Sequence, residues 1–117
     1  MRAITVIQPW ATLLATGRKC IETRSWRTNY RGEILIHAGK SAKDIFSEIY
    51  ADEENYLFFC KAGIGNYKDF YAMPRGVIIG KANLVNCLQI DEVTAALIKE
   101  QHPDEYAFGD FTPGRYA

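Results

Sequence analysis

The sequence predicts a single α+β domain built on a small β-barrel or strongly bent sheet, with short helices at its periphery. Three observations lead there. The chain has 117 residues, within the usual range of one domain. Its 48% hydrophobic residues, with 13% aromatics, supply enough apolar surface for a core. Short β-rich runs alternate with short helical ones before a long β-rich segment in the second half, a pattern too irregular for a regular βαβ fold. No internal repeat, low-complexity tract or linker interrupts the chain, so residues 1–117 are read as one domain.

The first strand is expected at Ala3 to Ile7 and stops at Gln8-Pro9, where proline suits the first turn of a helix. Trp10 to Thr16 reads as that helix, and Gly17 as its left-handed C-cap. Lys19 to Trp26 is expected to extend as a strand, with Cys20, Glu22, Arg24 and Trp26 on one face. Thr28 to Gly32 is turn-like, and Glu33 to Ala38 is the best-defined strand of the first half. Ser41 suits the N-cap of a helix over Ala42 to Tyr50, with Asp44 in its first turn. Asp52 to Lys61 reads as a further helix, broken by Gly63-Ile64-Gly65-Asn66. Val77 to Ile90 is expected to run as one long β-rich segment. Asp91 then caps a helix from Glu92 to about Gln101, which His102-Pro103 stops. The tail from Tyr106 to Ala117, rich in Gly, Pro and aromatics, leads toward another strand.

Fourteen Lys+Arg balance fourteen Asp+Glu, so net charge excludes the strong positive field of a bulk nucleic-acid binder. Local charge is segregated. Arg18, Lys19, Arg24, Arg27, Arg31, Lys40 and Lys43 face only Glu22 and Glu33 in their stretch, whereas Asp44 to Glu54 carries acids and no base. Cys20, Cys60 and Cys87 are odd in number and lack CxxC spacing, which predicts reduced, packed thiols and neither a disulfide framework nor a metal site. No apolar run approaches the roughly 20 residues that span a bilayer, and no signal-peptide h-region is present, so a cytoplasmic protein is expected.

Chemistry concentrates in Gln8 to Lys40. Lys19 and Arg24 can hold a phosphate or polarise a carbonyl, and Glu22 can accept hydrogen bonds from a base edge. Trp10, Trp26 and Tyr30 offer stacking faces for an unpaired base. Plainer explanations stand beside these: Glu22 and Arg24 as an ordinary ion pair, Trp10 and Trp26 as core aromatics, His37 as a packed or hydrogen-bonded histidine, Lys40 and Lys43 as solvated charges. Cys20 has no histidine partner at a suggestive spacing and is expected to be buried. Ala38-Gly39-Lys40-Ser41 ends like a phosphate-binding loop, but Ile34 stands where the earlier glycine is required. Gly63-Ile64-Gly65 is equally weak, and neither is an ATP site.

Taken together, Ile7-Gln8-Pro9-Trp10-Ala11, Gly17-Arg18-Lys19, Glu22-Thr23-Arg24-Ser25-Trp26, Tyr30-Arg31-Gly32 and Ile36-His37-Ala38 resemble the ASCH domain, named for activating signal cointegrator homology. Gly76 to Gly80, Gly109-Asp110-Phe111 and Gly114-Arg115-Tyr116 extend the resemblance over most of the chain. It implies a PUA-like β-barrel with short peripheral helices and a basic cleft that binds RNA or a nucleotide-like ligand. The residues carried over to that cleft are Lys19, Glu22 and Arg24, with Trp10, Trp26, Arg31 and Lys40 around it, and no metal or cofactor is implied. Some ASCH-like proteins are amidohydrolases on acetylated cytidine, using a lysine and a threonine in a Gly-x-Lys-x-x-Thr-x-Arg arrangement together with a distant glutamate. Here Lys19 and Arg24 match, but Glu22 stands in the place of the threonine.

Three functions therefore remain open. The leading one is binding of single-stranded RNA or a nucleotide. The second is a hydrolase acting on a modified nucleoside or on RNA, with Lys19, Glu22 and Arg24 as catalytic residues. The third is a protein-interaction module of coactivator type. Relatives continue past the Gly-Arg-Tyr-Ala segment into a further barrel strand. An ending at Ala117 implies either a barrel that closes differently or a missing C-terminal strand and an open edge.

Overall fold

The computed structural model describes residues 2–40, 53–64 and 67–117. The expected helix over Ala42 to Tyr50, with its Ser41 cap, lies outside the described residues, as do Lys43, Gly65 and Asn66.

Strand β1 (Arg2–Val6) pairs in parallel with β2 (Gly32–Ala38), and β2 pairs antiparallel with β3 (Val77–Leu84). The sheet order is β1-β2-β3. Ile4 and Val6 sit opposite Ile36 and Ala38, so the apolar residues of the first two strands meet on one face. A register shift between Ile36 and His37 interrupts the β2–β3 ladder.

Helix α1 (Trp10–Ala15) lies in the crossover between β1 and β2 and buries Ala11 and Leu13. Ala11 joins Val6, Ile36 and Ala38 in one core cluster, while Leu13 joins Phe59, Ile64, Phe70 and Phe108 in a second. Trp10 packs against both. A side chain at Gly80 would place its Cβ 3.2 Å from the Ala15 Cβ, so the glycine is what lets α1 lie this close to β3. Gly17 ends α1 at φ +78, the left-handed turn expected of it.

The remaining described helices are α2 (Glu53–Lys61), α3 (Tyr67–Tyr71), α4 (Glu92–Gln101) and α5 (Pro103–Ala107). Asp91 caps α4 by accepting the Thr94 backbone N–H at 2.6 Å. That bond holds the Asp91 carboxyl below its usual 3.8. A depressed folded value stabilises the fold above 3.8 and is lost as pH falls through it. Asp91→Ala is accordingly expected to lower the melting temperature at neutral pH by a few degrees, and the difference from wild type should shrink below pH 3.8, as read by circular dichroism.

Three expectations need correction. Lys19 to Trp26 is not a strand, because its paired backbone donors go to α1, to side chains and to the C-terminal tail and leave a single bridge, Arg24 to Tyr116. The long segment from Val77 stops as a strand at Leu84, and Gln89 makes one further bridge to Tyr116. The strands described form an open three-stranded mixed sheet, so the α+β class holds and a closed barrel is not formed by them. The tail does pair: Ala117 exchanges hydrogen bonds with Leu88 at 2.7 and 2.8 Å, and Ile90 N donates to Arg115 O at 2.7 Å. No helix among the described residues is long and apolar enough to cross a membrane.

Candidate functional site

The end of β1, residues 22–26, the turn after α5 and Arg115 together enclose an open cleft of 620 Å³. Val6, Trp10, Phe59 and Phe108 contribute apolar walls, and Glu22, Thr23, Arg24 and Trp26 form one rim. Of the residues singled out in the sequence, Glu22, Arg24, Trp10 and Trp26 are brought together here.

Arg24 is the centre of that rim. Its guanidinium contacts the Glu22 carboxylate at 3.1 Å and donates to Thr5 O at 2.8 Å. It also lies 5.9 Å from the Trp26 ring centroid. Trp26 is 54% exposed and so is not the core aromatic that burial statistics favour. Trp10 is half-buried and belongs to the core it was expected to join, while still reaching the cleft wall.

Lys19 is placed beneath the rim, not on it. Its side chain is fully enclosed, its Nζ donates to Ile21 O, and the Glu22 carboxylate lies 3.9 Å away. Burial pushes the Lys19 ammonium below its usual 10.5, against opposing pulls from Glu22 and Glu105. Arg31 and Lys40 stay outside the cleft lining. Arg31 turns its guanidinium onto its own loop, donating to Thr28 O and Tyr30 O at 3.0 and 2.7 Å. Lys40 is exposed and lies against Gly76. Cys20 is exposed, contrary to expectation, with its Sγ 3.7 Å from Gly17 O in the turn after α1. His37 is hydrogen-bonded, its Nδ1 lying 3.3 Å from Thr5 Oγ1.

Several cleft residues were missed in the sequence. Thr23 is buried, and its Oγ1 accepts the Asp110 backbone N–H at 3.2 Å. Arg115 reaches the opposite rim, with Nε 3.5 Å from Asp110 Oδ2 and a guanidinium N–H donated to Thr23 O at 3.4 Å. The Thr112 hydroxyl donates to Asp110 at 2.5 Å and holds that carboxyl below its usual 3.8, with help from Arg115. Gly109-Asp110 and Gly114-Arg115 belonged to the resemblance and were the signal available for these residues. Glu105, buried under the rim, was not singled out, since the resemblance spoke of a distant glutamate without placing it on a residue of this chain. The charged lining residues are thus Arg24 and Arg115 against Glu22 and Asp110, so the described lining balances its charges.

The family model of the ASCH domain matches residues 4–112. The chain belongs to the ASCH domain family. That match begins within β1 and runs past the end of α5, whereas Arg115 and the Tyr116 bridge fall past its end. Activating signal cointegrator 1 of Homo sapiens is 33% identical over 101 residues, covering 86% of this chain and 16% of the relative. The protein of the same name in Mus musculus is 31% identical over 102 residues, with the same coverage. This ASCH chain therefore spans about a sixth of the length of those relatives. Among the described residues of the ASCH domain no group of three or more His, Cys, Asp or Glu side chains is arranged to hold a metal ion.

Proposed function

We propose that this ASCH domain binds single-stranded RNA or a nucleotide-like ligand in the cleft between Arg24 and Arg115. The observation that carries the reading is the exposed Trp26 indole beside the Arg24 guanidinium at the mouth of a 620 Å³ cleft. An exposed aromatic beside a cation is the pairing that unstacked bases and their phosphates require. In this reading Arg24 and Arg115 hold phosphate oxygens, Glu22 accepts from a base edge, and Trp26 stacks, with Trp10 behind it. Lys19 serves from below, and Arg31 and Lys40 are not among the lining residues on which the reading rests. The bridges from Tyr116 to Arg24 and Gln89 favour a PUA-like barrel as the complete architecture. Three free thiols fit a cytoplasmic setting.

Fluorescence anisotropy with a short labelled single-stranded RNA tests the reading. With two cations in the cleft, log affinity should fall against log salt with a slope of about −1.4, at roughly 0.7 per phosphate held. Arg24→Ala should halve that slope, and Trp26→Ala should cost about 1–3 kcal/mol of binding with the slope unchanged. Absence of salt-dependent binding to any RNA or nucleotide would refute it.

One observation supports a hydrolase acting on a modified nucleoside or RNA: the lowered proton affinity of Lys19, which suits a base. Its enclosed side chain makes this the weaker reading, and turnover of an acylated cytidine abolished by Lys19→Ala would establish it. A coactivator-type protein partner, which the relatives' name evokes, would be indicated by partner binding that survives loss of Arg24 and Trp26 together.

A further inference from the structure

A segment without secondary structure must still pair its backbone donors. Lys19, Cys20, Ile21, Thr23 and Arg24 do so with groups outside the three-stranded sheet. Lys19 N donates to Leu13 O at 2.9 Å and Arg24 N to Tyr116 O at 2.9 Å. Thr23 N donates to the neighbouring Glu22 carboxylate at 3.2 Å. Between them, the successive amides of Cys20 and Ile21 donate to the two oxygens of one carboxylate, Glu105, at 2.6 and 3.2 Å. That carboxylate comes from α5, some 85 positions along the chain.

Glu105 is only 8% exposed. Burying a carboxylate is costly unless it is hydrogen-bonded and paired. Both conditions hold: it accepts two charge-assisted bonds, and it stabilises the enclosed Lys19 ammonium electrostatically. The signs alternate from Glu105 to Lys19, Glu22 and Arg24, and the last two line the cleft.

We propose that Glu105 is the positioning residue of the cleft, clamping the Cys20 and Ile21 amides so that Glu22 and Arg24 are presented to the ligand. The inference rests on the reading of the cleft as a ligand site, and Glu105 itself touches no ligand. A glutamine has the same shape but offers one acceptor oxygen and turns an NH₂ group toward the other amide. The path of residues 19–24 should therefore loosen while the sheet stays intact.

The test compares wild type with Glu105→Gln by amide hydrogen exchange and by anisotropy with the same labelled RNA. Expected in the variant are a loss of exchange protection at Cys20 and Ile21, unchanged protection in β2, and about tenfold weaker RNA binding, the effect of one charge-assisted hydrogen bond. If Glu105→Gln does not fold, Lys19→Met/Glu105→Gln, which removes both buried charges together, takes its place with the same expected pattern. Unchanged protection at Cys20 and Ile21, an equal loss in β2, or unchanged RNA affinity despite a loosened segment would each overturn the proposal. Should wild type bind no RNA, the functional reading fails by itself, and the clamp is then judged by exchange alone.

Discussion

Lys19→Ala is expected to lower the unfolding free energy by about 3–5 kcal/mol, the usual cost of removing one partner from a buried charge pair. The Lys19 side chain has no solvent contact, so truncation also empties volume that neighbouring groups cannot readily fill. The contact with Glu22 is loose at 3.9 Å. The larger loss comes from Glu105, left as a buried carboxylate with less compensation. Lys19→Met keeps most of the volume and separates the two effects, so its loss should be smaller. It also carries a pH signature. Burial holds the folded-state ammonium below 10.5, so the unfolded chain binds that proton more tightly. Stability therefore rises with pH between the folded value and 10.5, where the penalty on the charged folded form is relieved. Urea midpoints should show that alkaline rise in wild type and lose it in Lys19→Met. A rise of equal slope in both would exclude Lys19 as its source.

Leu13→Ala is expected to cost about 2–5 kcal/mol, the range for deleting a fully buried leucine. Leu13 is 1% exposed and joins α1 to Phe59, Ile64, Phe70 and Phe108, residues drawn from three later parts of the chain. Its carbonyl also accepts the Lys19 amide, so movement of α1 disturbs the start of the cleft rim. Urea denaturation should show a lower midpoint with an unchanged m-value. A change under 1 kcal/mol would mean that the α2–α5 side of the core tolerates the cavity.

Much of the fold was legible because it is decided by neighbours in the chain. The helix from Trp10 ends where Gly17 supplies a left-handed turn, and Asp91 caps α4 through an amide three residues on. The β-rich run from Glu33 to Ala38 produced the strand at its expected place. Strand length in the second half was overestimated because Val85, a β-favouring residue, is largely exposed and lies past the end of the β2 ladder at Leu84, and the pairing resumes only at Leu88, with the C-terminal tail.

The candidate cleft divides along the same line. Glu22, Arg24, Trp10 and Trp26 were legible as a group, since residue type and close spacing put cations, a carboxylate and aromatics beside one another whatever their exact conformation. Lys19 looked like their equal. Only the tertiary structure separates it, by enclosing it between Glu22 and a glutamate from the far end of the chain.

The sequence by itself determined the family, the α+β class, and which residue types crowd into residues 8–40, because these follow from order, spacing and local capping. The tertiary structure alone decided which of those side chains face the cleft. Residues 19–24 take their shape from Glu105 and Tyr116, not from a periodic strand of their own. Alternation predicts facing only where a ladder enforces it, and here a buried carboxylate performs that task.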